Sequence, residues 1–359
     1  MTVLAVTSPP RTECPGISDA QGLARVRRPA EYEPHEFTWM AWPHRSDLYG
    51  ARLAAMQAAY VRVAQAIAAF EPVKMAVHPD HAAKARAQLG EVIQIVEVPV
   101  DDSWIRDSGP TYVVAGDGGI AGVSWRFNAW GGKHSPWQAD DALAETLLNR
   151  EAQPVRRSWL TCEGGSLACD GEGTLIVTET SILNPNRNPG VSKALATAEL
   201  KAMLGVEKVI WLPGDPLDAE TDGHVDGMCC FVKPGTVLFE SNADMSNPHA
   251  RILAENLAVL RSETDAKGRE LAIVPIAEAA SATATSDVFC RSYINFYLPN
   301  GGVVLPAYGI PDDGLALEVV SRVFPDRRVV QVDVNAIAPG GGSIHCITQE
   351  QPRQHPRQV

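Results

Sequence analysis

The chain has 359 residues, of which 45% are hydrophobic and 21% charged, and this composition excludes a disordered or fibrous protein. A net charge of −12 argues against a surface that binds nucleic acid or anionic lipid, and it suits a cationic small molecule. No apolar run reaches the roughly 20 residues that a membrane-spanning helix needs, and Pro9 and Pro10 interrupt the apolar start too early for a signal peptide, so we expect a cytoplasmic protein.

Residues 1–28 have no usable period and are predicted to form a flexible N-terminal lead. After it, helical apolar spacing predicts helices over 51–70, 80–89, 136–149, 192–204, 248–260 and 315–324. Short apolar runs predict strands over 73–77, 92–100, 174–178, 208–212, 236–240, 271–276 and 328–334. Segments 293–298 and 303–306 flank Asn300-Gly301, which predicts a β-hairpin. Residues 353–359 are predicted to form a polar C-terminal tail.

No low-complexity linker interrupts residues 29–352, so we predict one α/β domain over that range. Within it, polar and glycine-rich clusters recur near Trp39, Asp107, Glu163, His224, Asn300 and Cys346. The clusters are about 60 residues apart, without sequence identity between segments. This spacing is expected if successive α/β modules each contribute one loop to a shared centre.

Two acidic residues lie where loops follow apolar runs. Asp107 follows the predicted strand 92–100, and Glu163 directly precedes Gly164-Gly165. A carboxylate at the end of a strand is free to accept hydrogen bonds from a ligand. The alternatives are an Asx turn or a helix cap for Asp107 and a surface turn for Glu163.

A histidine and an aspartate lie two residues apart in the segment 221–227. If this segment is extended, His224 and Asp226 leave the same face and can divide proton transfer and substrate binding between them. The alternative is a metal site formed by Asp222, His224 and Asp226, with His249 further along the chain. The sequence has no H-E-x-x-H element to support that alternative.

The seven cysteines have no C-x-x-C spacing, so neither a disulfide framework nor a zinc ribbon is indicated. Cys346 is distinctive because it follows Gly340-Gly341-Gly342, a backbone that can fold closely around a ligand. A buried free thiol is the alternative. The presence of His224 and of acidic residues in other glycine-bracketed loops favours a nucleophile at Cys346.

One thiol, one histidine and several carboxylates fit a guanidinium, a planar cation that carboxylates bind in fork geometry. A thiolate that attacks its central carbon gives a tetrahedral adduct, from which ammonia leaves. Water then hydrolyses the amidino-thioether to a urea. The histidine would protonate the leaving nitrogen and later deprotonate the water.

The motifs that carry this chemistry resemble those of the agmatine deiminases, within the bacterial-type peptidylarginine deiminase family of the guanidino-group modifying superfamily. The resemblance runs in order from about residue 29 to 352. It rests on Glu33–Glu36, Trp39–Pro43, Trp104–Pro110, Phe127–Lys133, Glu163–Gly165, Leu183–Pro189, Thr221–Asp226 and Gly340–Gln349. One departure is Ser343, where we expect Asn or Gly after the glycine run.

The resemblance implies the pentein fold, in which five ββαβ-type modules surround a pseudo-fivefold axis with the active site at the centre. It implies hydrolysis of agmatine to N-carbamoylputrescine and ammonia, in putrescine and polyamine metabolism. Neither a metal nor an organic cofactor is implied. The range 29–352 would then be a single catalytic domain.

The resemblance also implies roles for individual residues. Cys346 would be the nucleophile that forms an amidino-cysteine intermediate, His224 the general acid and base, and Glu163 the carboxylate that orients His224. Asp107 and Asp226 would bind the guanidinium. We further expect Trp104 and Trp130 to line the channel for the aliphatic chain of the substrate.

Other functions stay open on the sequence alone. The same residues would serve deimination of arginine, peptidyl arginine or a methylated guanidine, amidino transfer to an amine, or a non-catalytic guanidine sensor. In each case the partner is a small cationic guanidine, without nucleic acid or membrane partners. The oligomeric state, including a homo-oligomer, stays open.

Overall fold

The computed structural model describes residues 26–354, so most of the predicted lead and the last residues of the predicted tail lie outside the described residues. The strands are β1 Val26–Arg27, β2 His35–Ala41, β3 Val73–Val77, β4 Gln94–Glu97, β5 Thr111–Ala115, β6 Ile120–Arg126, β7 Val155–Thr161, β8 Ala168–Cys169, β9 Thr174–Thr178, β10 Lys208–Leu212, β11 Cys229–Lys233, β12 Thr236–Ser241, β13 Ala272–Ala277, β14 Gly302–Ala307, β15 Arg328–Asp333 and β16 Gln349–Pro352.

The helices are α1 Ser46–Tyr49, α2 Leu53–Ala68, α3 Ala82–Leu89, α4 Ile105–Ser108, α5 Ala129–Gly132, α6 Gln138–Arg150, α7 Glu179–Ile182, α8 Lys193–Leu204, α9 Pro248–Ser262 and α10 Asp312–Val323. Short 3₁₀ turns occur at Gly50–Arg52, Pro79–His81, Gly164–Ser166, Val225–Gly227, Ala338–Gly340 and His345–Ile347. No helix between residues 26 and 354 is both long and apolar enough to cross a bilayer.

The described strands form five open sheets, with the strand orders β16-β2-β3-β4, β1-β5-β6-β7, β10-β9-β8, β11-β12-β13 and β14-β15. Each sheet contains a parallel strand pair whose connection includes a helix: α2, α6, α8, α9 or α10. In four of the sheets an antiparallel neighbour joins that pair, as β5 joins β6 and β11 joins β12. The predicted mixed α/β class is therefore confirmed.

Helix α2 illustrates how the helices cover the sheets. Its alanine-rich sequence favours helix, and Tyr60, Val63 and Ile67 recur at helical spacing and are fully buried. The helix packs against β3, β14 and β15. Full burial of one such aliphatic side chain contributes about 1.5–3 kcal/mol, which fixes α2 against two sheets.

After its last parallel strand, each sheet sends the chain into a loop that carries a polar residue. Asp107 follows β4, Glu163 follows β7, His224 follows β10, Asn295 follows β13 and Cys346 follows β15. The carboxyl ends of parallel strands are where α/β proteins place their ligands. The loops that follow the five sheets can therefore bring together polar side chains that are far apart in sequence.

The predicted hairpin around Asn300-Gly301 is wrong in its first strand. Segment 293–298 forms no strand, and an isolated bridge between Tyr297 and Val304 is what remains of the pairing. Leu298 N instead donates to the side chain of Glu31 at 3.0 Å, and the Asn295 carbonyl accepts from the backbone N–H of His345 at 3.0 Å.

The predicted boundary of the lead at residue 28 is also wrong. Val26 and Arg27 form β1 and pair with β5, and Arg28 is buried. The Arg28 guanidinium donates to the Tyr112 carbonyl at 2.9 Å and forms an ion pair with Glu350 on β16. The folded region therefore begins no later than residue 26.

Candidate active site

Cys346 lies on a 3₁₀ turn and is 7% exposed. One side chain, Asn295, holds this turn: its Oδ1 accepts from the backbone N–H of Ser343 at 3.1 Å and of Cys346 at 3.3 Å. These two donors orient the amide, so that Asn295 Nδ2 faces the Cys346 sulfur at 3.2 Å. The unexpected Ser343 thus takes part through its backbone N–H.

His224 is buried between two carboxylates. Its Nε2 lies 3.4 Å from Glu163 Oε2, and its Nδ1 lies 3.8 Å from Asp107 Oδ1. Burial alone would lower the pKa of His224, but the charge of Asp107 and the hydrogen bond with Glu163 raise the pKa to about 9. The imidazole is therefore protonated at neutral pH. Its Nδ1 has no hydrogen-bond partner among the described residues and is free to face a ligand.

Glu163 follows β7 and is completely buried. Arg187 Nε donates to Glu163 Oε1 at 2.8 Å, and Arg187 also forms an ion pair with Asp222. Burial would raise the pKa of Glu163, but the Arg187 charge and the His224 hydrogen bond hold that pKa at about 2. Glu163 is therefore a fixed anion that orients His224.

Asp107 follows β4 at the start of α4. Trp130 Nε1 donates to Asp107 Oδ2 at 2.9 Å, and the Gly165 backbone N–H donates to Oδ1 at 2.9 Å. Burial raises the pKa of Asp107 despite the nearby His224 charge, and the anions Asp226 and Glu163 raise it further. A cation placed beside Asp107 would reverse this shift.

Asp226 forms a hydrogen-bonded pair with His345. His345 Nδ1 lies 2.8 Å from Asp226 Oδ2, and its Nε2 lies 2.8 Å from Glu31 Oε2. Burial would lower the pKa of His345, as would the Arg106 charge, but its two carboxylate neighbours raise it to about 9. Burial opposes ionisation of Asp226, yet the His345 hydrogen bond and charge lower its pKa, so that it is an anion.

Gly165 marks the point where these groups meet. A Cβ atom on Gly165 would lie 2.6 Å from His224 Nδ1, 2.8 Å from Asp107 Oδ1 and 3.1 Å from Asp226 Oδ2. Its φ is not in the left-handed region, so glycine is needed here for space alone. The structure thus brings together the predicted histidine and both predicted guanidinium-binding aspartates.

The electrostatics of Cys346 follow from this arrangement. Burial raises the pKa of its thiol well above the usual value, and the charges of Asp226 and Asp107 raise it further. The resting group is therefore a thiol. A ligand cation that neutralises the two aspartates would remove part of this shift.

A cavity of about 400 Å³ opens at this point. Cys346, His224 and Asp226 line it. Its walls carry five further carboxylates, Asp215, Asp218, Glu240, Glu278 and Asp287. Arg291 is the one arginine or lysine among its lining residues in the described part of the chain.

The predicted roles of Trp104 and Trp130 in lining the channel for the substrate stay predictions. Trp104 and Trp130 are buried but are not among the described residues that line the cavity. Trp130 uses its indole N–H on Asp107, while the Trp104 ring lies against the glycine run, where a Cβ on Gly342 would be 2.6 Å from it. The sequence indicates an aromatic ring at each position but cannot tell whether a ligand or the protein contacts it.

The predicted alternative of a metal site on Asp222, His224 and Asp226 is not supported. Asp222 Oδ2 accepts from Lys133 Nζ at 2.8 Å and also pairs with Arg187, so that it is already neutralised by cations. The segment is not extended either, because a 3₁₀ turn occupies Val225–Gly227. His224 and Asp226 reach the same site through that turn.

The profile of the Porphyromonas-type peptidyl-arginine deiminase family matches residues 27–352. The chain belongs to this family. It is 44% identical over 348 residues to the agmatine deiminase of Stutzerimonas stutzeri, with 90% of this chain and 95% of that relative covered. It is 43% identical over 350 residues to the agmatine deiminase of Pseudomonas aeruginosa strain LESB58, with 91% and 95% covered.

Among solved structures, the agmatine deiminase of Enterococcus faecalis superimposes with a TM-score of 0.89 at 37% identity. The match covers 92% of this chain and 97% of that one. The resemblance seen in the sequence is therefore confirmed. Sequence reasoning missed Asn295, His345 and the part played by Arg187, although Arg187 and His345 lie within the motifs that carry the resemblance.

Proposed function

We propose that this chain hydrolyses agmatine to N-carbamoylputrescine and ammonia through a covalent intermediate on Cys346. The observation that carries the proposal is the convergence of His224, Asp107 and Asp226 on Gly165, beside the cavity that Cys346 lines. The naming of curated relatives at 43–44% identity as agmatine deiminases supports the same substrate.

The first step is binding of the guanidinium by Asp107 and Asp226. Asp107 accepts from the Trp130 indole N–H and from the Gly165 backbone N–H, and Asp226 pairs with His345. These contacts fix both carboxylates before the cation binds. The bound cation lowers the thiol pKa of Cys346, and the thiol proton passes to solvent because His224 is already protonated. Substrate binding and activation of the nucleophile are thereby coupled.

The thiolate then attacks the central carbon of the guanidinium and forms a C–S bond. Protonated His224 gives its proton to one amino group of the tetrahedral adduct, the C–N bond breaks, and ammonia leaves. His224 is then neutral and accepts a proton from water, which attacks the amidino carbon. When that adduct collapses, the C–S bond breaks, its hydroxyl proton passes to the Cys346 sulfur, and the urea leaves while His224 stays protonated. Glu163 stabilises the imidazole of His224 in each step in which the imidazole is charged.

The lining of the cavity supports a cationic tail on the substrate. Beyond the catalytic groups it carries five carboxylates, which suit the ammonium of agmatine. Arg291 favours a second candidate, deimination of arginine, because its buried Nε has no hydrogen-bond partner in the described chain and could pair with an α-carboxylate. The surrounding carboxylates outweigh that single cation.

We also propose the pentein arrangement, with the five sheets as ββαβ-type modules around a pseudo-fivefold axis. Its support is that each sheet sends one polar residue toward the site. One catalytic domain over residues 29–352 and a cytoplasmic location stay predictions, as does the oligomeric state.

The test compares ammonia release and ureido product for agmatine, arginine and a blocked arginine peptide. We expect turnover of agmatine to exceed that of the other two, to persist in the presence of a chelator, and to be lost in Cys346→Ala. Mass spectrometry of a His224→Gln variant incubated with agmatine should detect an amidino adduct on Cys346. Absence of agmatine turnover by the unmodified chain would refute the proposal.

A further inference from the structure

A second cluster of ionisable side chains lies in the wall of the same cavity. Glu240 ends β12, His249 is the second residue of α9, and Glu278 directly follows β13. One side-chain donor atom of each residue lies within 4.8 Å of the other two. The proposed deimination assigns no chemical step to these three residues, although Glu240 and Glu278 belong to the carboxylates that suit the ammonium of agmatine.

The spacing of their donor atoms is that of ligands around one ion. His249 Nε2 lies 3.4 Å from Glu240 Oε2 and 3.8 Å from Glu278 Oε2. Four tetrahedral ligands at about 2.1 Å from a metal are about 3.4 Å apart. The contact of His249 Nε2 with Glu240 Oε2 is therefore a long hydrogen bond, since the usual N–H···O distance is about 2.9 Å.

Neighbouring groups orient the cluster toward a common point. Asp215 Oδ2 lies 2.8 Å from His249 Nδ1, which fixes the ring so that Nε2 faces the two glutamates. Asn242 Nδ2 donates to Glu278 Oε1 and leaves Oε2 directed at His249. A carboxylate on the far nitrogen of a histidine is the usual companion of a metal ligand.

One buried oxygen in the cluster lacks a partner. Glu240 is 4% exposed, and its Oε1 accepts no hydrogen bond from any described residue. An unpaired buried carboxylate oxygen costs free energy unless a ligand occupies the adjacent space. His249 has a side chain that is 30% exposed, so an ion can enter from the cavity.

We propose that Glu240, His249 and Glu278 bind one divalent transition-metal ion, with Asp215 as the carboxylate that orients His249. A set of one imidazole and two carboxylates suits zinc or manganese. The ion would link β12, α9 and the segment after β13, which together form one wall of the cavity. This site is separate from Cys346, whose chemistry needs no metal, and it goes beyond the proposed function.

The test measures binding of Zn²⁺ by calorimetry in a Cys346→Ser background, which removes the catalytic thiol as a competing ligand. We expect one equivalent per chain and a rise in Tm with the metal. Asp215→Asn should weaken the affinity by about 10–100-fold, and His249→Gln and Glu278→Gln should weaken it more. His134→Gln is the matched control, because His134 Nε2 bonds to the single carboxylate of Glu220 and lies outside the cluster.

Absorption spectra with Co²⁺ in the same background provide a measurement that does not depend on folding of the variants. Visible bands of a low-symmetry nitrogen and oxygen site, without sulfur charge transfer, support the proposal. Absence of bound metal, or one full equivalent retained in a folded His249→Gln variant, would overturn it. Neither readout uses turnover, so the outcome is independent of the deiminase proposal.

Discussion

Replacement of Asn295 by aspartate separates its two contributions to Cys346. An aspartate at position 295 keeps an oxygen to accept the backbone N–H groups of Ser343 and Cys346, so the cysteine turn stays anchored. The other carboxylate oxygen takes the place of the amide N–H that lies 3.2 Å from the sulfur. The substitution therefore exchanges a hydrogen-bond donor for a negative charge beside the Cys346 sulfur.

The size of the effect follows from that distance. Loss of a hydrogen bond to a charged group costs about 1.5–3 kcal/mol. Two unit negative charges 3.2 Å apart repel by about 5 kcal/mol at an effective dielectric constant of about 20, and this repulsion raises the pKa of the thiol further. Even the smaller value predicts a kcat/KM at neutral pH that is lower by at least about tenfold.

The assay is the rate of Cys346 alkylation by iodoacetamide as a function of pH, with Cys346→Ser as the background. The midpoint should move to higher pH in Asn295→Asp. Asn256→Asp is the matched control, because Asn256 is equally buried but bonds to the Gly214 backbone and not to Cys346. An unchanged alkylation profile and an unchanged kcat/KM in Asn295→Asp would refute the role assigned to the amide.

Three further predictions concern the groups around Gly165. Gly165→Ala should abolish turnover, since its Cβ would lie 2.6 Å from His224 Nδ1, whereas Gly227→Ala, with nothing within 4 Å of its Cβ, should remain active; similar kinetics of the two variants would contradict the geometry. Asp107→Asn should lower kcat/KM by an amount equivalent to about 2–5 kcal/mol of transition-state stabilisation, because it removes one charged partner of a buried cation. Near-normal kinetics would refute the role of Asp107 in binding. The pKa of His224 rises from 6.5 to about 9 on folding, so its contribution to stability is complete below pH 6.5 and is lost as the pH rises through about 9. Urea denaturation between these pH values should show a smaller decline in the free energy of unfolding for His224→Gln than for the unmodified chain; equal declines would mean that His224 is not charged in the folded state.

Much of the site could be predicted because its chemistry is concentrated in unusual sequence. Cys346 after three glycines and His224 two residues before Asp226 are patterns that packing alone seldom requires. The recurrence of such clusters also predicted that loops from successive modules meet. These features are local in sequence, and a single chain is enough to detect them.

Asn295 could not be predicted, because it lies in a segment whose apolar residues favour a strand. Its role depends on its hydrogen bonds to the turn that contains Cys346, and no neighbouring residue in the sequence indicates those bonds. The same holds for His345, which adjoins Cys346 in sequence but contacts Asp226 and Glu31. Long-range hydrogen bonds of this kind replace the strand that local propensity predicts.

The position of β16 has a consequence for folding of the enzyme during translation. This strand begins three residues after Cys346, and its Gln349 pairs with Trp39 on β2, near the other end of the described chain. The sheet that holds the cysteine turn in place is thus incomplete until almost every other element has been synthesised. Contacts between such distant segments form late in folding. A nascent or truncated chain that ends before β16 therefore carries the thiol without the strand that joins its turn to β2, and deimination activity should appear only when translation has passed β16.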